Sequence, residues 1–308
     1  MAVQSPEEAF QLTYQAENEN FSPRDNVVVL TFDDNYLDQS INLILSIAHY
    51  HPQGVSFLCI CPPLKEENQE LLLGLSQGVQ IRSYESGEDF STGRWVSGAV
   101  LRLFCPWLLG EEFHRVLYLD GDILCTGSLE KLFSMEVPLL AMCSEISGNV
   151  SPGRMTSVRP YMPTQIYCNS GVVLFNLDAF REQYTFPEIY EQLKACRGKF
   201  TYLDQDFLNV YFQGKITVLN PFFYDFQPHE LRKTEFWKPT LRQCSLIHYS
   251  VGKPWVYKTR LKLIRLYLKH SRYAPMTRRV RKAYALSLLY CPIRIARRIV
   301  SHAIHFFD

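Results

Sequence analysis

The chain has 308 residues, of which 47% are hydrophobic, so it can build a substantial core and is not a disordered protein. This length fits one large α/β domain with additions, or two small domains. The formal net charge is +1, but residues 256–308 hold 13 basic residues and one acidic residue, against 19 basic and 30 acidic in the remainder. A basic tail on an acidic body predicts an anionic partner for the tail, and the acidic body argues against nucleic acid.

The nine cysteines are odd in number and include no Cys-x-x-Cys pair, so we expect neither a zinc site nor a disulfide framework. Reduced thiols fit a cytosolic protein. The N-terminus has no basic start and no apolar stretch, and no run reaches the length of a membrane span. These features predict a cytoplasmic protein without a signal peptide.

Strands and helices are predicted to alternate after a polar lead-in at 1–24, which we expect to be loose or helical. The strands are expected at 26–32, 55–61, 79–84, 115–119, 171–176 and 216–219, and the helices at 37–50, 66–75, 96–109 and 206–212, the last opened by Asp204. Such alternation predicts an open α/β sheet with helices on both faces. Neither a Gly-x-Gly-x-x-Gly turn after the first strand nor a Walker-type loop is present, which argues against a dinucleotide oxidoreductase and a P-loop enzyme.

Two spaced carboxylates, Asp120 and Asp122, follow the apolar run Val116-Leu117-Tyr118-Leu119. A strand that ends in Asp-Gly-Asp places two oxygen ligands at the edge of the sheet, where α/β proteins bind their ligands. Two carboxylates on a hard divalent cation suit a diphosphate-bearing substrate. A strand-end turn or a helix N-cap is the alternative for this pair and for the second Asp-x-Asp, Asp204-Gln205-Asp206.

Further polar segments fit the same chemistry. Asp33, Asn35 and Tyr36 follow the first strand, where they could contact a base. Asn169 precedes a strand and could place its amide beside a sugar. The segment from His248 to Trp255 offers an imidazole and the lysine Lys253 within one tight turn.

Taken in this order, these segments resemble family 8 of the glycosyltransferases, retaining enzymes that include bacterial lipopolysaccharide galactosyl- and glucosyltransferases. The resemblance spans residues 25 to 257. It implies the GT-A fold, a Rossmann-like mixed α/β sheet flanked by helices. We therefore expect a lead-in at 1–24, a catalytic domain at 25–257 and a basic helical extension at 258–308.

The resemblance implies that Asp120, Asp122 and His248 ligate Mn²⁺, with Mg²⁺ as the alternative ion, and that this ion bridges the diphosphate of a UDP-sugar. It also assigns the residues that contact the donor. Uracil and ribose are contacted by Asp33, Asn35 and Tyr36, the phosphates by Gly252 and Lys253, and the hexose by Asn169, Asp204 and Gln205. Arg102 matches the donor-binding arginine of the family. Asp204 and Gln205 are the candidate catalytic residues, with Gln205 under the anomeric carbon.

The implied reaction transfers glucose or galactose from its UDP-sugar to a glycan, lipid-linked or protein-linked acceptor, with retention of configuration. A sugar nucleotidyltransferase and a catalytically inactive UDP-sugar-binding module are the alternatives, although the first should carry a Gly-rich triphosphate loop. One departure concerns the loop from His248 to Lys253, which is one residue shorter than is usual in the family. The oligomeric state stays open.

Residues 292–307 have helical spacing, with Ala296, Val300, Ala303 and Phe307 on one stripe and Arg294, Arg297 and Arg298 off it. A basic amphipathic helix predicts peripheral contact with an anionic membrane, here at the inner face. The alternative is a helix that docks its apolar face on the catalytic domain.

Overall fold

A mixed sheet forms the centre of the protein in a computed structural model, which describes residues 3–23, 26–86, 100–145, 158, 160–162, 166–228, 237–256 and 259–304. Among these residues, eight strands form the main sheet in the order β1-β4-β3-β2-β5-β8-β7-β9, and β6 pairs with β10 in a small second sheet. The strands are β1 (Phe10–Glu17), β2 (Val27–Leu30), β3 (Ser56–Cys61), β4 (Val79–Ser86), β5 (Arg115–Leu119), β6 (Ile123–Cys125), β7 (Leu140–Ser144), β8 (Cys168–Asn176), β9 (Ile216–Leu219) and β10 (Leu246–His248). The expected mixed α/β sheet is therefore confirmed.

The helices flank this sheet, and most of them lie between its strands in the sequence. They are α1 (Pro6–Ala9), α2 (Leu37–Tyr50), α3 (Glu66–Leu73), α4 (Cys105–Leu108), α5 (Glu130–Phe133), α6 (Leu177–Gln183), α7 (Phe186–Ala195), α8 (Leu203–Tyr211), α9 (Pro221–Tyr224), α10 (Trp237–Gln243), α11 (Leu261–His270) and α12 (Ala274–Ile304), with 3-10 turns at Asp34–Tyr36 and Arg102–Phe104. No described helix is both long enough and apolar enough to cross a membrane. The part of the expected helix at 96–99 lies outside the described residues.

The parallel centre of the sheet sets the position of the polar turns. Strands β4, β3, β2 and β5 are parallel neighbours. Every residue of β2 is buried, which is why it reads as a continuous Val-Val-Val-Leu run without alternation. Because parallel strands end at the same edge, the turn at Asp33 after β2 and the turn at Asp120 after β5 share that edge.

The small sheet brings the Asp-Gly-Asp turn and His248 together. Strand β6 begins directly after Asp122, and it pairs antiparallel with β10 so that Ile123 lies opposite His248. The backbone N–H of Tyr249 also donates to the Asp122 carbonyl at 3.0 Å. This pairing places His248 beside the Asp-Gly-Asp turn although they are far apart in sequence.

The N-terminal segment differs from the expected loose or helical lead-in. Residues 10–17 form β1, which pairs antiparallel with β4 at the edge of the sheet. Phe10, Leu12, Tyr14 and Ala16 alternate with polar residues, the two-residue period of a strand. Polar content alone was therefore misleading, because an edge strand exposes one face.

Helix α8 also begins differently from the expectation. It starts at Leu203, with Tyr202 at the N-cap and no side-chain cap, so Asp204 lies inside the first turn and does not open the helix. Asp206 instead accepts from the backbone N–H of Tyr202 at 2.9 Å. The side chain of Asp204 is thereby left to face the site.

The first part of the tail packs on the body of the protein. Buried residues of α11 and of the start of α12 share one apolar cluster with β6 and β10, formed in part by Leu263, Ile264, Tyr267, Met276 and Val280. The start of the tail is therefore part of the folded body. The side chains from residue 290 onward, including the predicted amphipathic helix at 292–307, lie outside the described residues, so both alternatives for that helix stay predictions.

One buried amide holds the tail to α2. Asn42 donates to the hydroxyl of Tyr267 at 2.8 Å, and its Oδ1 accepts from the Ser271 hydroxyl and from the backbone N–H groups of Arg272 and Tyr273 at 2.8–3.0 Å. These bonds satisfy the turn between α11 and α12. Tyr267 in turn packs edge-on against Trp255, at 5.7 Å between ring centroids.

Removal of this amide should destabilise the packing of α11 and of the start of α12 on α2. We expect Asn42→Ala to lower the free energy of unfolding by about 3 kcal/mol, because it leaves several buried polar groups without partners. Tyr267→Phe, which deletes one hydroxyl, should cost about 1 kcal/mol. Urea denaturation followed by circular dichroism measures both. Equal effects of the two variants would contradict this role of Asn42.

Candidate metal centre and donor site

Three side chains from two distant parts of the chain form a cluster that could hold a metal ion. Asp120, Asp122 and His248 each offer a ligand atom, and these atoms lie within 4.8 Å of one another. His248 Nε2 is 3.0 Å from Asp122 Oδ1 and 3.8 Å from Asp120 Oδ2. The structure thus brings together the residues that the sequence proposed as ligands.

The chemistry of the cluster fits a hard divalent cation. Asp122 Oδ1 is buried and lies 3.0 Å from His248 Nε2. A buried carboxylate is costly unless a positive charge pairs with it, and a metal ion between the three groups would supply such a charge. Carboxylates suit Mg²⁺ and Mn²⁺, and one imidazole favours Mn²⁺ among the two.

Asp120 is oriented by two neighbours that bind the same oxygen. Its Oδ1 accepts from the Tyr118 hydroxyl at 2.7 Å and pairs with Arg102 Nη1 at 2.9 Å. This leaves Oδ2 on the side of His248. Gly121 allows the turn to pack closely on α2, since a Cβ there would lie 2.9 Å from the Ser40 hydroxyl.

His248 is fixed from two sides. Its Nδ1 is 2.8 Å from Asp225 Oδ1, and both residues are buried. Gly171 on β8 lies against the imidazole: a Cβ at this position would come within 2.9 Å of His248 Nδ1 and of Asn169 Oδ1, and still closer to Cε1. The glycine is therefore required here by close approach of the ring.

Lys253 is the positive neighbour of the cluster. Its Nζ contacts Asp122 Oδ2, and its backbone carbonyl accepts from the Thr259 hydroxyl at 2.6 Å. Gly252 has φ of 79°, the left-handed region that favours glycine, which explains the glycine directly before the lysine. The shortened loop thus reaches Asp122 by a tight turn.

The charges of the cluster shift the pKa values of its members in opposite directions. Burial would raise the pKa of Asp122, but Lys253 and then His248 outweigh it and hold this pKa well below its usual range. Burial would lower the pKa of His248, but Asp122 and Asp225 raise it well above its usual value. The two carboxylates therefore favour the protonated form of His248 in the metal-free protein.

Arg102 links the metal cluster to the second Asp-x-Asp. Its guanidinium is buried, pairing with Asp120 through Nη1 and with Asp204 Oδ2 through Nε at 3.3 Å. It also lies 4.4 Å from the centre of the Tyr118 ring. Asp120 and Asp204 therefore belong to one charge network. Arg102, which was predicted to contact the donor, pairs with these two carboxylates.

The residues predicted to hold the sugar meet where the amino end of β8, with Asn169, contacts the first turn of α8, with Asp204 and Gln205. Gln205 Oε1 accepts from the Ser170 backbone N–H at 3.1 Å, and its Nε2 donates to the Tyr167 hydroxyl at 3.0 Å. Asn169 donates from Nδ2 to Glu145 Oε1 at 3.2 Å and accepts the Gly171 N–H at 2.8 Å. The orientations of both amides are thus set by hydrogen bonds.

The residues predicted to bind the base form a turn at the carboxyl end of β2. Asp33 Oδ1 accepts from the backbone N–H groups of Asn35 and Tyr36 at 3.0 and 3.2 Å, and Asp33 Oδ2 accepts from the Asn35 side chain. Asp33 therefore caps the 3-10 turn that follows β2. Tyr36 packs edge-on against Trp255, at 6.4 Å between ring centroids.

Sequence reasoning missed the residues that support the cluster. Asp225 and Gln227 have no motif around them, Ser170 lies beside Asn169 without a predicted role, and Tyr118 lies in an apolar strand. A usable signal existed for Asp225, which is a single carboxylate in the aromatic run Phe-Phe-Tyr-Asp-Phe. A charged residue in such a run is expected to be buried with a partner.

Comparison with known proteins decides the family. Residues 27–259 match glycosyl transferase family 8. The chain belongs to this family. The resemblance inferred from the motifs is thereby confirmed.

Two bacterial enzymes are similar in sequence to this family 8 member. The chain is 28% identical to a lipopolysaccharide 1,3-galactosyltransferase of Salmonella typhimurium, over 54% of this chain and 51% of the relative. It is 28% identical to a lipopolysaccharide 1,2-glucosyltransferase of Escherichia coli, over 72% of this chain and 70% of the relative. The match thus spans about half the length of the Salmonella enzyme.

Solved structures agree on the fold. The galactosyltransferase LgtC in complex with donor and acceptor sugar analogues aligns with a TM-score of 0.64 at 22% identity, over 76% of this chain and 90% of LgtC. The bifunctional glycosyltransferase WbbM aligns with a TM-score of 0.67 at 21% identity, over 86% of this chain and 52% of WbbM. The GT-A architecture expected for a family 8 member is therefore confirmed.

The close approach of Gly171 to His248 can be tested by a substitution that adds one methyl group at residue 171. Gly171→Ala should push the imidazole out of the cluster and weaken Mn²⁺ binding at least about tenfold, as expected when a ligand is misplaced. Gly74→Ala, at the exposed end of α3, is the matched control. Isothermal titration calorimetry measures the affinity, and equal affinity of the two variants would show that the ring does not depend on this contact.

The raised pKa of His248 predicts that metal binding releases a proton. A metal ligand must be the neutral imidazole, so below the raised pKa each bound ion displaces about one proton, and affinity rises by up to about tenfold per pH unit. Titrations between about pH 6.5 and about pH 7.5 in buffers of different ionisation enthalpy report this proton. An affinity that is independent of pH would count against the cluster.

Proposed function

We propose that the protein is a metal-dependent retaining hexosyltransferase, which moves glucose or galactose from a UDP-sugar to a glycan, lipid-linked or protein-linked acceptor. The observation that carries the proposal is the buried cluster of Asp120, Asp122 and His248 in a chain of glycosyl transferase family 8. The family membership favours this reaction over the sugar nucleotidyltransferase considered from the sequence.

The metal ligands in this proposal are Asp120 Oδ2, Asp122 and His248 Nε2. Mn²⁺, or Mg²⁺ in its place, would act as a Lewis acid that stabilises the negative charge on the leaving diphosphate. Lys253 is close enough to Asp122 to add a point charge on the same phosphates. Gly252 gives the loop the backbone conformation that brings this lysine to the cluster.

The nucleoside would lie over the turn at the end of β2. Asp33 and Asn35 carry polar groups at this edge for uracil and ribose, and Tyr36 offers a ring beside the base. The edge-on packing of Tyr36 on Trp255, which follows Lys253 by two residues, supports a single pocket for base and phosphate.

The hexose would lie over Asn169, Asp204 and Gln205. Asp204 is held by Arg102 and by the Ser170 hydroxyl at 3.1 Å, so it is fixed in place as a hydrogen-bond acceptor. A retaining glycosidase mechanism needs a carboxylate nucleophile and a second carboxyl group close together. The neutral amide of Gln205 instead favours front-face substitution, in which the leaving phosphate takes the proton of the acceptor hydroxyl.

The relatives support a hexose donor without separating the two sugars. One is a galactosyltransferase and the other a glucosyltransferase, both acting on lipopolysaccharide. We propose that residues 25–257 form the catalytic domain and that 258–308 form a tail whose first helix completes it. A cytoplasmic location and membrane contact of the distal tail stay predictions from the sequence.

Variants of the metal ligands test this proposal. Asp122→Asn and His248→Ala should each lower Mn²⁺-dependent release of UDP by at least about 100-fold, because the charge on the leaving diphosphate loses its stabilisation. UDP release from a panel of UDP-sugars, with mass spectrometry of the product, measures the activity and identifies the donor.

Glu136→Gln is the matched control, since its side chain is 94% exposed and pairs only at 3.5 Å with Arg115. It should retain the activity of the original chain. Turnover that persists in the ligand variants, or absence of turnover and of UDP binding in the original chain, would overturn the proposal. Binding without turnover would indicate the inactive UDP-sugar-binding module.

A further inference from the structure

Asp225 is a completely buried carboxylate behind the metal cluster. Its relative exposure is 0%, and it follows the short helix α9. The backbone holds it in register with β10: Phe226 donates to the Leu246 carbonyl at 3.0 Å, and His248 donates to the Phe226 carbonyl at 2.9 Å. The position of Asp225 relative to His248 is therefore set by main-chain bonds.

Both oxygens of Asp225 are used. Oδ1 is 2.8 Å from His248 Nδ1, and Oδ2 accepts from Gln227 Nε2 at 3.0 Å. Gln227 Oε1 accepts from the Ser250 hydroxyl at 2.8 Å. The chain of hydrogen bonds thus runs from the imidazole to the loop that carries Lys253.

A carboxylate on one imidazole nitrogen determines what the other nitrogen can do. An Nδ1–H that donates to Asp225 leaves Nε2 with its lone pair, and Nε2 is the atom that faces Asp122. The negative charge also raises the basicity of the imidazole toward a metal ion. Burial of this charge is expensive, so a purely structural acceptor would be better served by a neutral amide.

We propose that Asp225 is a positioning residue of the metal centre, which orients His248 as an Nε2 ligand and, through Gln227 and Ser250, ties the Lys253 loop to it. This inference rests on the metal site of the proposed function and adds a residue that does not touch the ion. The carboxylate, the imidazole and the ion would form the carboxylate–histidine–metal triad that is frequent in metalloproteins.

The test measures Mn²⁺ affinity directly and needs no turnover. Free Mn²⁺ is followed by electron paramagnetic resonance during titration of the full chain and of Asp225→Ala and Asp225→Asn. We expect Asp225→Ala to weaken binding by about 10- to 100-fold, and Asp225→Asn to lie between it and the original chain, because the amide keeps an acceptor for Nδ1–H but not the charge.

Asp206→Asn is the matched control. Asp206 is equally buried, but its hydrogen bonds go to Tyr167 and to the Tyr202 backbone. Its substitution should leave Mn²⁺ affinity unchanged, whatever it does to thermal stability. Loss of affinity in Asp206→Asn as large as in Asp225→Ala would mean that burial of a carboxylate, and not contact with His248, is responsible.

The outcomes separate this inference from the proposed function. If the original chain binds Mn²⁺ and both Asp225 variants bind it equally well, the positioning role is wrong and the metal centre stands. If the original chain binds no Mn²⁺, both are wrong. If Asp225→Ala does not fold, Asp225→Asn decides, and an affinity within about twofold of the original would overturn the inference.

Discussion

The site depends on the pairing of two three-residue strands. Strand β6 leaves the Asp-Gly-Asp turn and β10 ends at His248, so their antiparallel register places the imidazole beside Asp122. The remaining contacts of the cluster follow from this register. Lys253 reaches Asp122 because its loop begins at the end of β10, and Asp225 reaches Nδ1 because Phe226 bridges to β10. A shift of one residue would turn His248 to the other face.

Charge balance explains why so many ionisable groups can be buried here. Asp120 is matched by Arg102, Asp122 by Lys253, and His248 lies between Asp122 and Asp225. Each burial penalty is thereby offset by a partner of opposite sign. In the proposed function, a divalent ion held by Asp120, Asp122 and His248 would take the place of the imidazole proton, and Lys253 would then be available to a phosphate.

Much of the fold was accessible from the sequence, because buried strands and amphipathic helices carry strong periodic signals. The strand at 115–119 and the helix at 37–50 have the bounds that the pattern predicted. The strand at 10–17 was missed because its polar, exposed face dominated its composition. The start of α8 was misplaced because Asp204 looked like a cap, whereas its side chain is engaged by Arg102.

The candidate site was likewise predictable from the sequence only in part. Asp120, Asp122 and His248 could be proposed because their spacing resembles a family, and the structure brings them together. Asp225 could not, because its role follows from the approach of two segments that are 23 residues apart and not from a local motif. Supporting residues of a metal site are determined by tertiary contacts, which a single sequence does not display.

The most direct measurement is anomalous diffraction at the manganese edge from crystals of the protein grown with Mn²⁺ and UDP. We expect one strong peak within coordinating distance of Asp120, Asp122 and His248 Nε2, with the diphosphate of UDP on its open side and Lys253 beside it. A peak elsewhere in the molecule, or UDP bound with no ion between it and the three side chains, would contradict the account.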